Sequence, residues 1–265
     1  MEQPSTNIQL VDSHAHLDFE NFDADRDVVI ENARLAGVAA IIDIGINLET
    51  SRKAVALADQ YPLVYATVGI HPHDAASVSE SDWQQLEALL QHPKVVAMGE
   101  LGLDYYRDYA PRDIQKQVLM RQLELAVRYQ RPVVVHTRNA WPDILPIFTE
   151  TYREKLTGVF HCFSGGDAEA RSVLSAGYFI SFTGVVTFKN ASALKIAAQS
   201  VPPNRLILET DCPFMAPEPF RGRRCEPAHL PYIAQKIAEA KGWRFHELAK
   251  QTTRNVETLF GISID

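Results

Sequence analysis

Short apolar, β-branched runs alternate with amphipathic stretches along the whole chain, and this alternation is its strongest structural signal. The first run covers residues 8–13. The stretch 25–36 then places Val28, Val29, Ala33 and Leu35 at helical spacing before Gly37 stops it. Residues 39–45 predict a second strand and 48–60 a second helix. A third strand over 64–70 runs into His71-Pro72-His73, and Ser81 reads as the cap of a helix reaching residue 91. Strand four, 95–100, leaves through Leu101-Gly102-Leu103-Asp104-Tyr105-Tyr106 into a long helix over 111–129. Strand five is 132–136, a helix begins near Pro142, and strand six is 158–163. Asp167 reads as the cap of a helix ending at Gly177, followed by strand seven (178–184), a helix (191–200) and strand eight (205–211). Two more helices, 228–240 and 245–260, close the chain.

Strands that are apolar throughout and separated by helices belong to a parallel sheet covered on both faces. Eight strand–helix units in 265 residues predict an α/β fold, one (β/α)8 TIM barrel spanning residues 1–265. A doubly wound open sheet is the alternative, but it usually needs fewer strands.

Composition narrows the setting. Hydrophobic residues at 46% and charged residues at 22% are those of a soluble globular chain. No apolar run approaches the roughly 20 residues of a membrane span, and Met1 to Thr6 form no leader sequence. The three cysteines (Cys162, Cys212, Cys225) lack C-x-x-C spacing and read as reduced thiols of a cytoplasmic protein. A net charge of −7 suits a monomer and argues against non-specific coating of duplex nucleic acid, while leaving room for a small basic site.

The candidate chemistry lies at the predicted strand ends. His14 and His16 are two residues apart on strand one, so their side chains share a face. His71 ends strand three, Glu100 strand four, His136 strand five, His161 strand six and Asp211 strand eight. Five of nine histidines thus fall at the barrel end where active sites lie in this fold. Nitrogen and carboxylate ligands without thiolate suit Zn²⁺, Mn²⁺, Ni²⁺, Fe²⁺ or Mg²⁺. Four histidines and two carboxylates exceed the needs of one tetrahedral ion, so two metals bridged by Glu100 are expected. Two such ions roughly 3.5–4 Å apart activate a hydroxide and clamp both oxygens of a displacement, which is hydrolytic chemistry.

Several motifs then match a known family in order: Asp12-Ser13-His14-Ala15-His16-Leu17-Asp18, Gly69-Ile70-His71-Pro72-His73, Gly99-Glu100-Leu101-Gly102-Leu103-Asp104 and Pro132-Val133-Val134-Val135-His136-Thr137-Arg138. His161-Cys162-Phe163-Ser164-Gly165, Leu208-Glu209-Thr210-Asp211-Cys212-Pro213 and Arg221-Gly222-Arg223-Arg224-Cys225-Glu226-Pro227 continue the series. From Val11 to Phe260 the chain resembles the TatD family of metal-dependent deoxyribonucleases. The resemblance implies a distorted TIM barrel with 3′-to-5′ exonuclease activity on DNA, and a short basic lip around an acidic metal site favours single strands or strand ends over long duplexes. The resemblance also implies that His14, His16 and Asp211 hold one divalent ion (Mg, Mn or Zn), that His136 and His161 hold a second, and that Glu100 is shared. The sequence departs from the pattern at Cys225, where the family usually has Asn, which puts in doubt a polar contact there.

Asp211 is expected to be both ligand and proton acceptor. Glu209 and Asp12 share its lumen-facing parity or that of the histidine pair and are read as carboxylates orienting a ligand or water. Lys189, Arg138, Arg221, Arg223 and Arg224 are candidate phosphate donors, with His71 a candidate substrate contact. Tyr105, Tyr106 and Phe220 are candidates for base stacking. The competing readings are a metal-dependent amidohydrolase or esterase acting on a small molecule, an aminoacyl-tRNA ester hydrolase, and a non-catalytic binding barrel.

Overall fold

The computed structural model describes residues 9–264, so the expected strand start at Ile8 lies outside the described residues. Among the described residues, eight parallel strands follow one another in chain order. They are β1 (Leu10–Ala15), β2 (Val38–Ile44), β3 (Val64–Val68), β4 (Val95–Asp104), β5 (Val133–Arg138), β6 (Gly158–Phe160), β7 (Phe179–Phe182) and β8 (Leu206–Leu208). The segment after β8 returns to β1: Ala15 bridges Cys212, the Asp211 N–H donates to the His14 carbonyl at 2.9 Å, and the His16 N–H donates to Cys212 at 2.9 Å. This is the expected TIM barrel, drawn together at its carboxyl end by the residues that carry the candidate chemistry.

The helices are α1 (Arg26–Leu35), α2 (Leu48–Gln60), α3 (Glu80–Leu89), α4 (Arg112–Tyr129), α5 (Trp141–Pro146), α6 (Asp167–Ser175), α7 (Ser192–Ser200), α8 (Leu230–Lys241) and α9 (Phe245–Phe260). None of the described helices is long and apolar enough to cross a membrane. One core lies between the sheet and the helices. A second gathers lumen residues such as Val11, Ile42, Val134 and Ile207 with Val256, Leu259 and Phe260 of α9. The Asn255 side-chain amide donates to the carbonyls of Pro203 and Leu206, both at 2.7 Å, and Thr253 Oγ1 donates to Gln9 at 2.8 Å. These bonds hold α9 against the amino ends of β1 and β8, giving the barrel an apolar floor opposite the end that carries the candidate ligands.

Several boundaries differ from the expectation. The first turn of α3 is capped by Ser79, not Ser81, because Ser79 and Asp82 exchange side-chain-to-backbone bonds in a capping box. Gly166 rather than Asp167 occupies the cap position of α6, with Glu169 accepting its N–H. Strands β6 and β8 end early, so His161 and Asp211 stand just beyond them. β4 instead runs four residues past Glu100, with a register shift against β5 between Met98 and Leu101. Gly99 and Gly102, both at φ +150°, permit this irregular path. Glu100 is therefore mid-strand, and Asp104 is the residue at the strand's end. β1 is also irregular, with a register shift between Asp12 and Ala15, so strict alternation does not place its side chains.

Candidate metal centre

Glu100 lies at the middle of a buried imidazole cluster. Its Oε1 is 2.7 Å from His161 Nε2, 2.9 Å from His136 Nδ1 and 3.6 Å from His71 Nε2, and its Oε2 is 3.5 Å from His14 Nε2. Asp211 completes the other side, with Oδ1 at 3.6 Å from both His14 Nε2 and His16 Nε2. The structure thus brings together all six residues expected to hold metal. Among the described residues, three groups converge closely enough to share an ion: His14, His16 and Asp211; His14, Glu100 and His161; and His71, Glu100 and His136.

Electrostatics explain why this cluster suits a cation. Burial would raise Glu100, but the surrounding imidazoles, His161 first, outweigh it and hold the carboxyl well below its ordinary value. Burial would lower His16, yet Asp211 bonds and attracts it and raises it to about 9. His161 and His136 are likewise raised against their burial, His161 by Glu100 and His136 by Asp104 and Glu100. His14 is lowered, by burial and then by the His161 charge. Both its ring nitrogens are buried without a hydrogen-bond partner, and its ring stacks on His161 at 4.0 Å. A buried imidazole with no partner, facing two carboxylates, fits a metal ligand.

The ligands are held from behind. His16 Nδ1 lies 3.2 Å from the Ile44 carbonyl, which leaves Nε2 toward the cluster. Glu209 accepts the Cys162 N–H at 2.6 Å and the Ser181 hydroxyl at 2.7 Å, and it stands 3.6 Å from His161 Nδ1. Glu209 is fully buried, with each oxygen engaged by one of these donors, so it sits behind His161. Asp12 accepts the Thr210 N–H at 2.8 Å and the Thr210 hydroxyl at 2.5 Å, tying β1 to the segment that carries Asp211.

Asp104 is a carboxylate beside the cluster that strand-end counting missed. Its Oδ2 lies 3.2 Å from His136 Nε2 and 3.0 Å from His73 Nε2, while its Oδ1 accepts the N–H groups of Tyr106 and Arg107, each at 2.9 Å. Burial would raise Asp104, but these bonds, the His136 contact first, keep it below its ordinary range. The available signal was the Leu101-Gly102-Leu103-Asp104 run, whose glycine lets the strand continue. A Cβ on Gly102 would sit 1.9 Å from the His136 carbonyl oxygen.

The expected substrate contacts divide. His71 Nδ1 accepts the His73 N–H at 3.1 Å, so neutral His71 carries its proton on Nε2 and faces the cluster as a donor. Burial holds it well below its ordinary value, in that neutral form. Arg138, over the Tyr106 ring at 3.8 Å, and Arg221, over Phe188 at 4.3 Å, are exposed, as are Lys189 and Arg223. Arg224 is a correction: its guanidinium donates to Asp25 at 2.9 and 2.7 Å, to Glu226 at 2.9 Å and to the Asn21 carbonyl at 2.6 Å. It clamps the 221–227 loop to the β1–α1 segment and is not free for phosphate. Tyr105 and Phe220 pack, with the Tyr105 hydroxyl donating to Asp143 at 2.7 Å and the Phe220 ring stacked on His229 at 4.1 Å. Cys212 and Cys225 are buried, and burial pushes both thiols up. The Cys225 N–H donates to the Pro213 carbonyl at 3.0 Å, so backbone holds that position without a side-chain amide. Cys162, by contrast, is half-buried, with its Sγ 3.5 Å from Met215 Sδ.

The chain is similar to known proteins over nearly its whole length. The model of the TatD related DNase family matches residues 11–261. YabD of Bacillus subtilis (strain 168), named a metal-dependent hydrolase, is 42% identical over 254 residues, covering 96% of this chain and 100% of that protein. A protein of Klebsiella pneumoniae (strain 342) named the 3′-5′ ssDNA/RNA exonuclease TatD is 36% identical over 262 residues, covering 97% of this chain and 99% of its own length. Among solved structures, the TatD homologue YjjV of Escherichia coli K12 superposes with a TM-score of 0.92 at 31% identity, over 97% of this chain and 100% of that one. A barrel of this topology, with buried histidine and carboxylate clusters at its carboxyl end and a family match from end to end, is a member of the TatD family of metal-dependent hydrolases.

Proposed function

We propose that this protein is a 3′-to-5′ exonuclease for single-stranded nucleic acid, DNA in the first place, working with two divalent ions (Mg, Mn or Zn). The observation that carries this reading is Glu100: one carboxylate oxygen faces His14, and the other faces His136 and His161, the arrangement a bridging ligand needs. The exonuclease named in Klebsiella pneumoniae, 36% identical, supports the substrate class.

In this reading His14, His16 and Asp211 would hold one ion, His136 and His161 would hold the other, and Glu100 would serve both. Bound divalent ions lower the pKa of water and neutralise charge that builds on a phosphodiester. Asp211 accepts the proton of the attacking water, using the oxygen not turned toward the histidines. His71, neutral and protonated on Nε2, donates to a phosphoryl oxygen. Arg138, Arg221 and Lys189 are exposed cations that meet the flanking phosphates. Glu209 and Asp104 act through His161 and His136.

Single-stranded DNA and RNA labelled at either end test the proposal, with and without a chelator. Shortening from the 3′ end that stops on chelation is the expected result. Hydrolysis of small amides or lactones with no action on either nucleic acid would overturn it.

A further inference from the structure

An exposed aromatic ring stands beside the metal centre on a backbone segment that cannot move away. Phe214 follows Asp211 by three residues, and its side chain is 51% exposed. Its ring lies 6.3 Å from the His16 ring and 6.2 Å from Phe19, edge-on to both, and Phe19 itself stacks on His16 at 4.6 Å. A candidate ligand histidine and two phenylalanines thus form one continuous aromatic wall, of which Phe214 is the exposed part.

The segment under the ring is fixed. The Phe214 N–H donates to the Asp211 carbonyl at 2.9 Å, and the Pro213 carbonyl accepts from the Cys225 N–H at 3.0 Å. Met215 Sδ rests within 3.5 Å of Cys162 Sγ and of Thr183 Oγ1. Beneath them Gly184 approaches so closely that a Cβ there would lie 2.0 Å from the Met215 carbonyl oxygen. An apolar ring held in water on so rigid a base is preorganised for a flat partner, because no loop entropy is lost when one arrives.

We propose that Phe214, backed by Phe19, is the stacking platform for the base of the nucleotide whose phosphate lies over His16 and Asp211. The proposal rests on the nuclease reading above and adds the group that recognises the substrate as unpaired. A base can lie on this wall only when it has left its complementary strand, whereas every unpaired base offers a π-face regardless of sequence. A phosphate held at His16 and Asp211 carries its own nucleoside within reach of the ring.

The test uses the metal-loaded protein and single-stranded oligonucleotides bearing 2-aminopurine at each of the last three 3′ positions, with phosphorothioate linkages to slow cleavage. Fluorescence quenching at one of these positions is expected with the wild type and is lost in Phe214→Ala and in Phe214→Leu, which keeps apolar bulk without a π-face. Phe214→Trp retains it. On cleavable DNA, Phe214→Ala raises KM roughly 5- to 100-fold, and this penalty shrinks when the stacked nucleotide is abasic. Since Phe214 is exposed, truncation leaves folding intact, and unchanged thermal melting checks this. If the wild type shortens DNA but no position is quenched, or Leu serves as well as Phe, the platform is wrong while the nuclease reading stands. If the wild type neither binds nor shortens DNA, both fall.

Discussion

Asp104 Oδ2 and His136 Nε2 are 3.2 Å apart, and on the opposite side of the same ring His136 Nδ1 is 2.9 Å from Glu100. When the ring gives up a proton to bind a cation, the Asp104 carboxylate therefore keeps the remaining one on Nε2 and Nδ1 becomes the lone pair facing the cluster. Asp104→Ala is expected to weaken divalent-ion affinity on the order of 10- to 100-fold, with Asp104→Asn, which still accepts one bond, losing less. Isothermal titration with Mn²⁺ measures both. Equal affinities for all three proteins would count against the positioning role.

Glu100→Gln removes the charge shared by His14, His136 and His161 without removing the side chain's volume. Bound metal should fall by at least one equivalent, and hydrolytic activity by roughly 10²–10³-fold or more. Metal analysis of the purified variant decides it; full retention of metal would remove Glu100 as the bridge.

Divalent-ion binding should tighten as pH rises toward 9. In the cation-free fold His16 is raised to about 9 by Asp211, and His136 and His161 are raised by their carboxylates, so each carries a proton that a cation must displace. Protons compete most strongly at low pH, so affinity climbs through the neutral range toward the value of about 9 to which His16 is raised. Titrations in buffers of different ionisation enthalpy should show proton release on binding. A pH-independent Kd would contradict the assignment of charge.

Arg224 and Arg221 lie three residues apart, yet their substitution should fail differently. Arg224→Ala breaks the clamp onto Asp25, Glu226 and the Asn21 carbonyl, so the melting temperature should drop while KM for DNA stays within about twofold. Arg221→Ala removes only an exposed cation–π contact and should raise KM without lowering the melting temperature. Melting curves and steady-state kinetics of the pair separate a structural arginine from a substrate arginine.

Gly102→Ala places a methyl group 1.9 Å from the His136 carbonyl oxygen at a backbone φ of +150°. It should destabilise the fold by about 2–4 kcal/mol and weaken metal binding with it, because the strand that must yield carries His136. Denaturant unfolding with and without added metal reads both effects.

The barrel was legible in the chain because its signal is local. β-branched runs, helical spacing and stop residues such as Gly37 each lie within a few neighbours, and eight repeats of one pattern leave little choice of topology. The six candidate ligands were legible for a related reason: in this fold a residue's position along its strand already states which end of the barrel it faces. What the chain could not state were contacts between residues far apart in it. Counting ended β4 at Glu100, whereas Gly99 and Gly102 let the strand bulge and continue to Asp104, whose partners His73 and His136 come from other strands and loops. Arg224 and Arg221 look alike in sequence, and only the return of the 221–227 loop to Asp25 distinguishes them. Phe214 reads as one more apolar residue after a ligand until Gly184 is seen locking the backbone beneath it. Sequence by itself determined the fold, the six candidate ligands and the end of the barrel where they meet. Tertiary structure alone decided the contacts of the supporting residues, because those contacts join side chains from 31 to 199 positions apart in the chain.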